Sequence, residues 1–135
     1  MKAFLSIKYH PDSSNRARIE GLTQALLRAG IESVCIARDV EHWGHVPHAP
    51  DELMRRTFIE MDACQLVVVD LAEKGVGVGI EAGYAHARGI PIIVIAPAGS
   101  DISATLSGIA RSVFFYTDFG ELESVFAGLA TSGPA

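Results

Sequence analysis

One carboxylate stands out for its surroundings. Glu81 ends the run Gly75-Val-Gly-Val-Gly-Ile-Glu81 and is followed by Ala82, Gly83 and Tyr84. The run lies between two apolar stretches, Leu66-Val-Val-Val-Asp70 and Pro91-Ile-Ile-Val-Ile95. Short apolar runs bounded by glycine and proline read as buried strands. The glycines then form a loop leaving one strand, and Glu81 falls on the first turn of the helix that follows. Gly75, Gly77 and Gly79 remove alternate side chains, so backbone amides can approach a ligand closely. The helix start adds unpaired N–H groups and the positive end of the helix dipole. Both effects favour the ionised form of Glu81. Such a glutamate is suited to attack an electron-poor carbon or to stabilise a cationic one. It is equally suited to accept a sugar hydroxyl, and a bare helix-capping role is the alternative without chemistry.

Other residues compete for attention. Gly77-x-Gly79-x-x-Ala82 matches the dinucleotide fingerprint. It is not in the first strand–helix turn, however, and the next strand, Ile92-Ile-Val-Ile-Ala96, ends without an acid, so no dinucleotide cofactor is expected. Asp70 ends its strand and either orients a ligand or caps the turn. Residues 38–49 carry His42, Trp43, His45 and His48 without a period. Trp43 either stacks on a base or packs its own loop down. The irregular histidines predict no metal site. Tyr9 and His10 follow the first strand and face either a substrate or solvent. Arg55 and Arg56 read as a solvated pair or a phosphate contact.

The elements that position these residues alternate regularly. Strands are expected at 3–8, 31–37, 65–70, 91–96 and 112–116. Helices are expected from about 16 to 29, from 50 or 51 to the next strand, from the glycine loop to 88, near 103–110, and at 120–130. Ile19, Leu22, Ala25, Leu26 and Ala29 share one face of the first helix; Leu53, Met54, Phe58 and Met61 point inward from the second. Strand–helix alternation predicts a parallel sheet covered on both faces. Right-handed crossovers then favour a flavodoxin-like (Rossmann-like) three-layer α/β sandwich, with a single five-stranded parallel sheet in the order 2-1-3-4-5. Ligands in such sheets bind at the C-terminal strand ends. That end gathers Ser6 to Tyr9, the 38–49 loop, Asp70 to Glu81, and Pro97 to Ser103.

Composition narrows the classes. The 135 residues, 49% of them hydrophobic, suit one domain over 1–131 with a frayed tail at 132–135. The net charge of −5 argues against a broad nucleic-acid surface but not against one phosphorylated small molecule. No apolar run is long enough to span a bilayer. The opening residues are too soon interrupted for a signal peptide, so a cytoplasmic protein is expected. Cys35 and Cys64 are then expected as reduced, structural thiols.

The stretch VVVDLAEKGVGVGIEAGYAHARGIPIIVI, with Asp70 and Glu81 in it, resembles the nucleoside 2-deoxyribosyltransferase superfamily. It is most similar to the branch of 2′-deoxynucleoside 5′-monophosphate N-glycosidases. Ser6-Ile-Lys8 is similar to that branch's Ser-Ile-Arg, and Ile102-Ser103-Ala104 to its Leu-Ser-Ala segment, with Gly108 five residues after the serine. The resemblance covers residues 4 to about 117. It implies that Glu81 is a nucleophile attacking C1′ of a deoxyribose, expelling the base and forming a glycosyl-enzyme ester. It also implies that Ser6 and Lys8 lie near the phosphate or sugar. Ser103 would reach the phosphate in a neighbouring subunit's site, which makes the protein a homodimer or larger. Three positions depart from the family's pattern. Gly75, beside Lys74, stands where the family has a serine; Lys2 stands nearest its strand-one tyrosine; Thr57 falls where it has a second acid, with Glu60 and Asp62 the nearest carboxylates.

The sequence therefore predicts an N-glycosidase of a (deoxy)nucleoside 5′-monophosphate that needs no cofactor. Glu81 and Asp70 are its catalytic candidates. Ser6, Lys8, Tyr9, Trp43, Gly75, Gly77, Gly79 and Ser103 are its substrate-binding candidates. The alternatives are a base-exchanging deoxyribosyltransferase and a non-catalytic nucleotide sensor.

Overall fold

The computed structural model of the chain describes residues 1–132. Five parallel strands form one sheet in the order β2-β1-β3-β4-β5, as the alternation predicts. They are β1 (Lys2–Ser6), β2 (Glu32–Val34), β3 (Leu66–Asp70), β4 (Ile92–Pro97) and β5 (Ser112–Tyr116). The helices are α1 (Arg16–Arg28), α2 (Ile36–Asp39), α3 (Pro50–Asp62), α4 (Val76–Ala87), α5 (Ala104–Ser107) and α6 (Gly120–Ser132). The expected tail falls outside the described residues except for Ser132, which closes α6.

Side chains alternate across each strand, and this splits the core in two. Ala3, Leu5, Leu66, Val68, Ile93 and Ile95 pack on one face, under Ile19, Leu22 and Leu26 of α1 and Phe126 of α6. Phe4, Val67, Val69, Val94 and Ala96 pack on the other, under Met61 of α3, Ala82 and Ala85 of α4, and Leu106 of α5. The central strand β3 is buried on both faces, as a parallel sheet with helices on each side requires.

Two helices close at glycines. Gly30 (φ 82°) and Gly89 (φ 71°) adopt left-handed conformations. The N–H groups of Ile31 and Ile90 reach back to the carbonyls of Leu26 and Ala85. These are Schellman closures, and they turn the chain directly into the next strand.

The structure corrects three boundaries. β1 stops at Ser6 rather than at residue 8, leaving Ile7, Lys8 and Tyr9 in the loop above the sheet. The second strand, expected over 31–37, is extended only over Glu32–Val34, and Ile36–Asp39 coil into α2. Asp39 Oδ2 accepts the Cys35 N–H at 2.9 Å, which satisfies a helix-start donor. As an edge strand pairing only with β1, β2 has little holding its end extended. The third correction concerns the glycine run. Gly75 is the N-cap of α4, so Gly77 and Gly79 are helical rather than loop residues.

Candidate active site

With Gly75 as N-cap, Glu81 lies in the second turn of α4. Dipole stabilisation fades beyond the first turn. The electrostatic expectation therefore reverses. Burial pushes the Glu81 carboxyl up to about 7, and a hydrogen bond from Ser6 only partly offsets it. Ser6 Oγ donates to Glu81 Oε1 at 2.6 Å. Ser6 is the last residue of β1, 1% exposed, and on the sheet face that α4 covers. It thus acts as a positioning residue for Glu81 before it touches any ligand. Replacing it is expected to show this. In Ser6→Ala, an NMR titration of the Glu81 carboxyl should give a midpoint raised by about one unit, since a charge-assisted hydrogen bond is lost. An unchanged midpoint would remove that role.

Glu81 opens into a cleft of about 290 Å³ at the C-terminal ends of the strands. Lys8, Tyr9, Gly75 and Gly77 line it with Glu81, as the sequence predicts. Its walls are mostly apolar, with Leu5, Ile36, Leu53, Met54 and Val78 among them. Gly75 has a definite spatial role. A Cβ there would stand 3.4 Å from Lys8 Cγ, so glycine lets the lysine stem lie along the start of α4. Gly77 and Gly79 face open space instead.

Several candidates are not part of this cleft. Asp70 has the strand parity of Val68 and points to the α1 side, away from Glu81. It is fully buried, and its Oδ1 accepts the Tyr116 hydroxyl at 3.0 Å. Arg18 Nη1 donates to Tyr116 Oη at 2.6 Å and stands 3.6 Å from Asp70 Oδ2. Burial raises the Asp70 pKa against the opposing pull of Arg18. Trp43 packs beside the α1-side core, under the Arg16 guanidinium 4.5 Å from its ring centroid. That is the loop-packing alternative. Ser103 caps α5, and its Oγ pairs with Thr105 Oγ1 at 2.9 Å. Lys74 pairs with Asp101, and His10 with Glu73 beside the cleft. Arg55 and Arg56 both bind Glu52 on an exposed face. Among the described residues no cluster of three or more His, Cys, Asp or Glu is placed to hold a metal.

The acids near the family's second acidic position are also engaged elsewhere. Glu60 meets Lys2 at 3.8 Å. Asp62 accepts from the Tyr84 hydroxyl and from Arg88. Tyr84 stacks on Phe58 of α3 within the same chain, with ring centroids 4.1 Å apart.

No protein-family model and no curated protein matches this sequence. Solved structures match its fold. A 2-deoxyribosyltransferase from Bacillus psychrosaccharolyticus superposes with a TM-score of 0.68 at 13% identity, over 91% of this chain and 90% of that one. This chain has the 2-deoxyribosyltransferase fold. A CMP N-glycosidase from Clostridium botulinum gives 0.65 at 20% identity, over 93% and 97% of the two chains. A conserved protein from Enterococcus faecalis gives 0.72 at 13%, over 95% and 98%. At such identities the likeness is one of architecture.

Within this deoxyribosyltransferase fold, sequence reasoning missed two polar cleft residues. Thr57 carries only a spacing signal in the sequence, yet it is 2% exposed and lines the cleft. Its hydroxyl donates to the Leu53 carbonyl at 2.8 Å. Glu41 also lines the cleft. Its one sequence signal was membership of the loop expected to roof the site, where the histidines and Trp43 drew attention instead. The cysteines are free and buried, and burial raises both thiols to about 11, so Cys35 is inert where it meets the cleft.

Proposed function

We propose that the protein hydrolyses the base–sugar bond of a (deoxy)nucleoside 5′-monophosphate. The observation that carries this reading is Glu81. It is a carboxylate held by Ser6, poised to ionise near neutral pH, and opening into an apolar cleft of about 290 Å³. That volume is close to the lower end of small-molecule sites, which start at roughly 300 Å³. The likeness of fold to a CMP N-glycosidase and to deoxyribosyltransferases supports the same chemistry.

In the proposed reaction Glu81 attacks C1′ of the sugar as the bond to the base nitrogen breaks. The bonding pair leaves with the base, which takes up a proton. The resulting ester is opened by water at C1′, releasing the sugar phosphate and restoring the carboxylate. Lys8, lying along the start of α4, supplies a positive charge beside the unpaired N–H groups of that helix. Together they form the nearer half of a phosphate site. The other half is Ser103 of a partner subunit. Exposed Val76 and Ile80 on α4 and Ile59 on α3 support such a homodimer.

The apolar walls also suit the base-exchanging alternative, in which a second base displaces Glu81 in place of water. The test is incubation with ribo- and deoxyribonucleoside monophosphates and the matching nucleosides, with free base followed by chromatography. Release from monophosphates alone supports the hydrolase. Release only with a second base present supports the transferase. No release from any substrate overturns both. Ser103→Ala should raise the KM for the monophosphate about tenfold, the effect of losing one hydrogen bond to a charged group, and leave nucleoside turnover unchanged. Equal effects on the two would remove its phosphate role.

A further inference from the structure

The cleft holds a second carboxylate that the proposed chemistry does not use. Glu41 follows α2 and is held tightly by its backbone. Its N–H donates to the Ile36 carbonyl at 2.9 Å, and its own carbonyl accepts from Gly44 and Val46, both at 3.0 Å. The loop around it adopts left-handed conformations at His42, Trp43 and Gly44, with φ of 47°, 59° and 87°. Such a run is costly for residues with a Cβ. Gly44 itself sits close under Tyr9, where a Cβ would stand 3.0 Å from the phenolic oxygen. The backbone of Glu41 is therefore fixed. Its side chain is half-buried, and among the described residues none makes a hydrogen bond or ion pair with its carboxylate.

A half-buried carboxylate without a partner is unfavourable unless something completes it. Burial raises its pKa, with His48 the charge that opposes this. Glu41 and Glu81 line the same cleft. Two other polar side chains of the cleft, Thr57 and Lys8, do not offer what Glu41 offers. The proton of Thr57 is committed to Leu53. Lys8 is exposed at the mouth, over Gly75.

We propose that Glu41 reads the base, selecting nucleotides whose base carries an exocyclic amino group. This rests on the nucleotide reading of the cleft given above. A carboxylate only accepts hydrogen bonds. It pairs with the amino N–H of cytosine, adenine or guanine. The carbonyl that replaces this amino group in uracil, thymine or hypoxanthine sets lone pairs against lone pairs. A site built around one such polar group rejects the analogue that cannot satisfy it far better than apolar walls reject a change of size.

The experiment measures binding by calorimetry at pH 8, well above the ordinary carboxylate range, in the Glu81→Gln background so that nothing turns over. The ligand pairs are dCMP with dUMP and dAMP with dIMP. The amino member of each pair should bind at least about tenfold more tightly, and adding Glu41→Gln should bring the ratio to within about threefold, because an amide both donates and accepts. Equal binding of the pair with Glu41 intact, or the same ratio after its replacement, would overturn the proposal. If the preference is present but the wild-type protein releases no base, the hydrolase reading fails and the role of Glu41 stands. If none of the four nucleotides binds, both fail.

Discussion

Glu81→Gln should lower base release by on the order of a thousandfold or more, as expected when a nucleophile is removed, and should also make the protein more stable above pH 7. The two effects have one cause. The cleft buries the carboxyl and raises its pKa to about 7 against an ordinary 4.5. Between those values the folded protein holds a proton that the unfolded chain releases. Stability therefore falls as pH rises through this window and is lowest above the folded pKa. Glutamine carries no charge to desolvate, and its amide oxygen still accepts from Ser6. Each pKa unit is worth about 1.4 kcal/mol; with a discount because the side chain is still partly reached by solvent, a gain of about 1–2 kcal/mol is expected at pH 8. The gain should vanish near pH 4, where Glu81 is protonated in both states. Urea unfolding of the two proteins at pH 4 and pH 8 checks the stability claim. Wild-type base release should rise with pH, with a midpoint near 7, because the ionised form attacks. Full activity in the glutamine variant would end the nucleophile assignment, and equal stability at pH 8 would mean that the cleft does not strain the carboxylate.

The second large effect concerns Asp70. Its carboxylate is fully buried, and among the described residues only Tyr116 gives it a side-chain hydrogen bond. Among the described residues Oδ2 has no hydrogen-bond partner, and Arg18 stands 3.6 Å away, past hydrogen-bonding distance. Removing one member of a fully buried pair costs roughly 3–5 kcal/mol. Arg18 is about one-third exposed, so Arg18→Met should cost about 2–3 kcal/mol at pH 8. Asp70 is already raised by burial, and losing Arg18 raises it further. The folded protein then binds the Asp70 proton more tightly than the unfolded chain does. The deficit should shrink as pH falls toward 4 and the carboxyl takes up that proton. Asp70→Asn in the same chain should recover much of the loss at pH 8. Urea titrations of the single and double variants at both pH values decide this. A deficit that ignores pH would assign the effect to lost packing of the Arg18 stem.

Asp70 and Glu81 also show where sequence reading stops. In the sequence both are catalytic candidates because both follow the apolar run of the third strand; in the structure Asp70 ends β3 and Glu81 lies on α4, which follows it. Two-residue alternation sends Asp70 to the α1 side, whereas α4 returns over the opposite face and brings Glu81 to Ser6. Trp43 was drawn to the site by loop membership and lies against Arg16 instead. Lys8, Tyr9, Gly75 and Gly77 do line the cleft, because the segments that follow β1 and β3 are carried by chain connectivity to the same rim.

The alternation of apolar runs and amphipathic segments was enough by itself to determine the five parallel strands and their order. Those properties follow from backbone periodicity and the handedness of crossovers, which short stretches of chain carry locally. It also determined that a glutamate would stand beside the C-terminal end of the central strand. The tertiary structure alone decided the state of that glutamate. Where α4 begins moved Glu81 from the first turn to the second, beyond the reach of the helix dipole. Contact with Ser6, 75 residues away in the chain, and the apolar walls then set its charge. Desolvation and hydrogen bonding depend on what the fold packs around a group, and residues distant in sequence supply most of it.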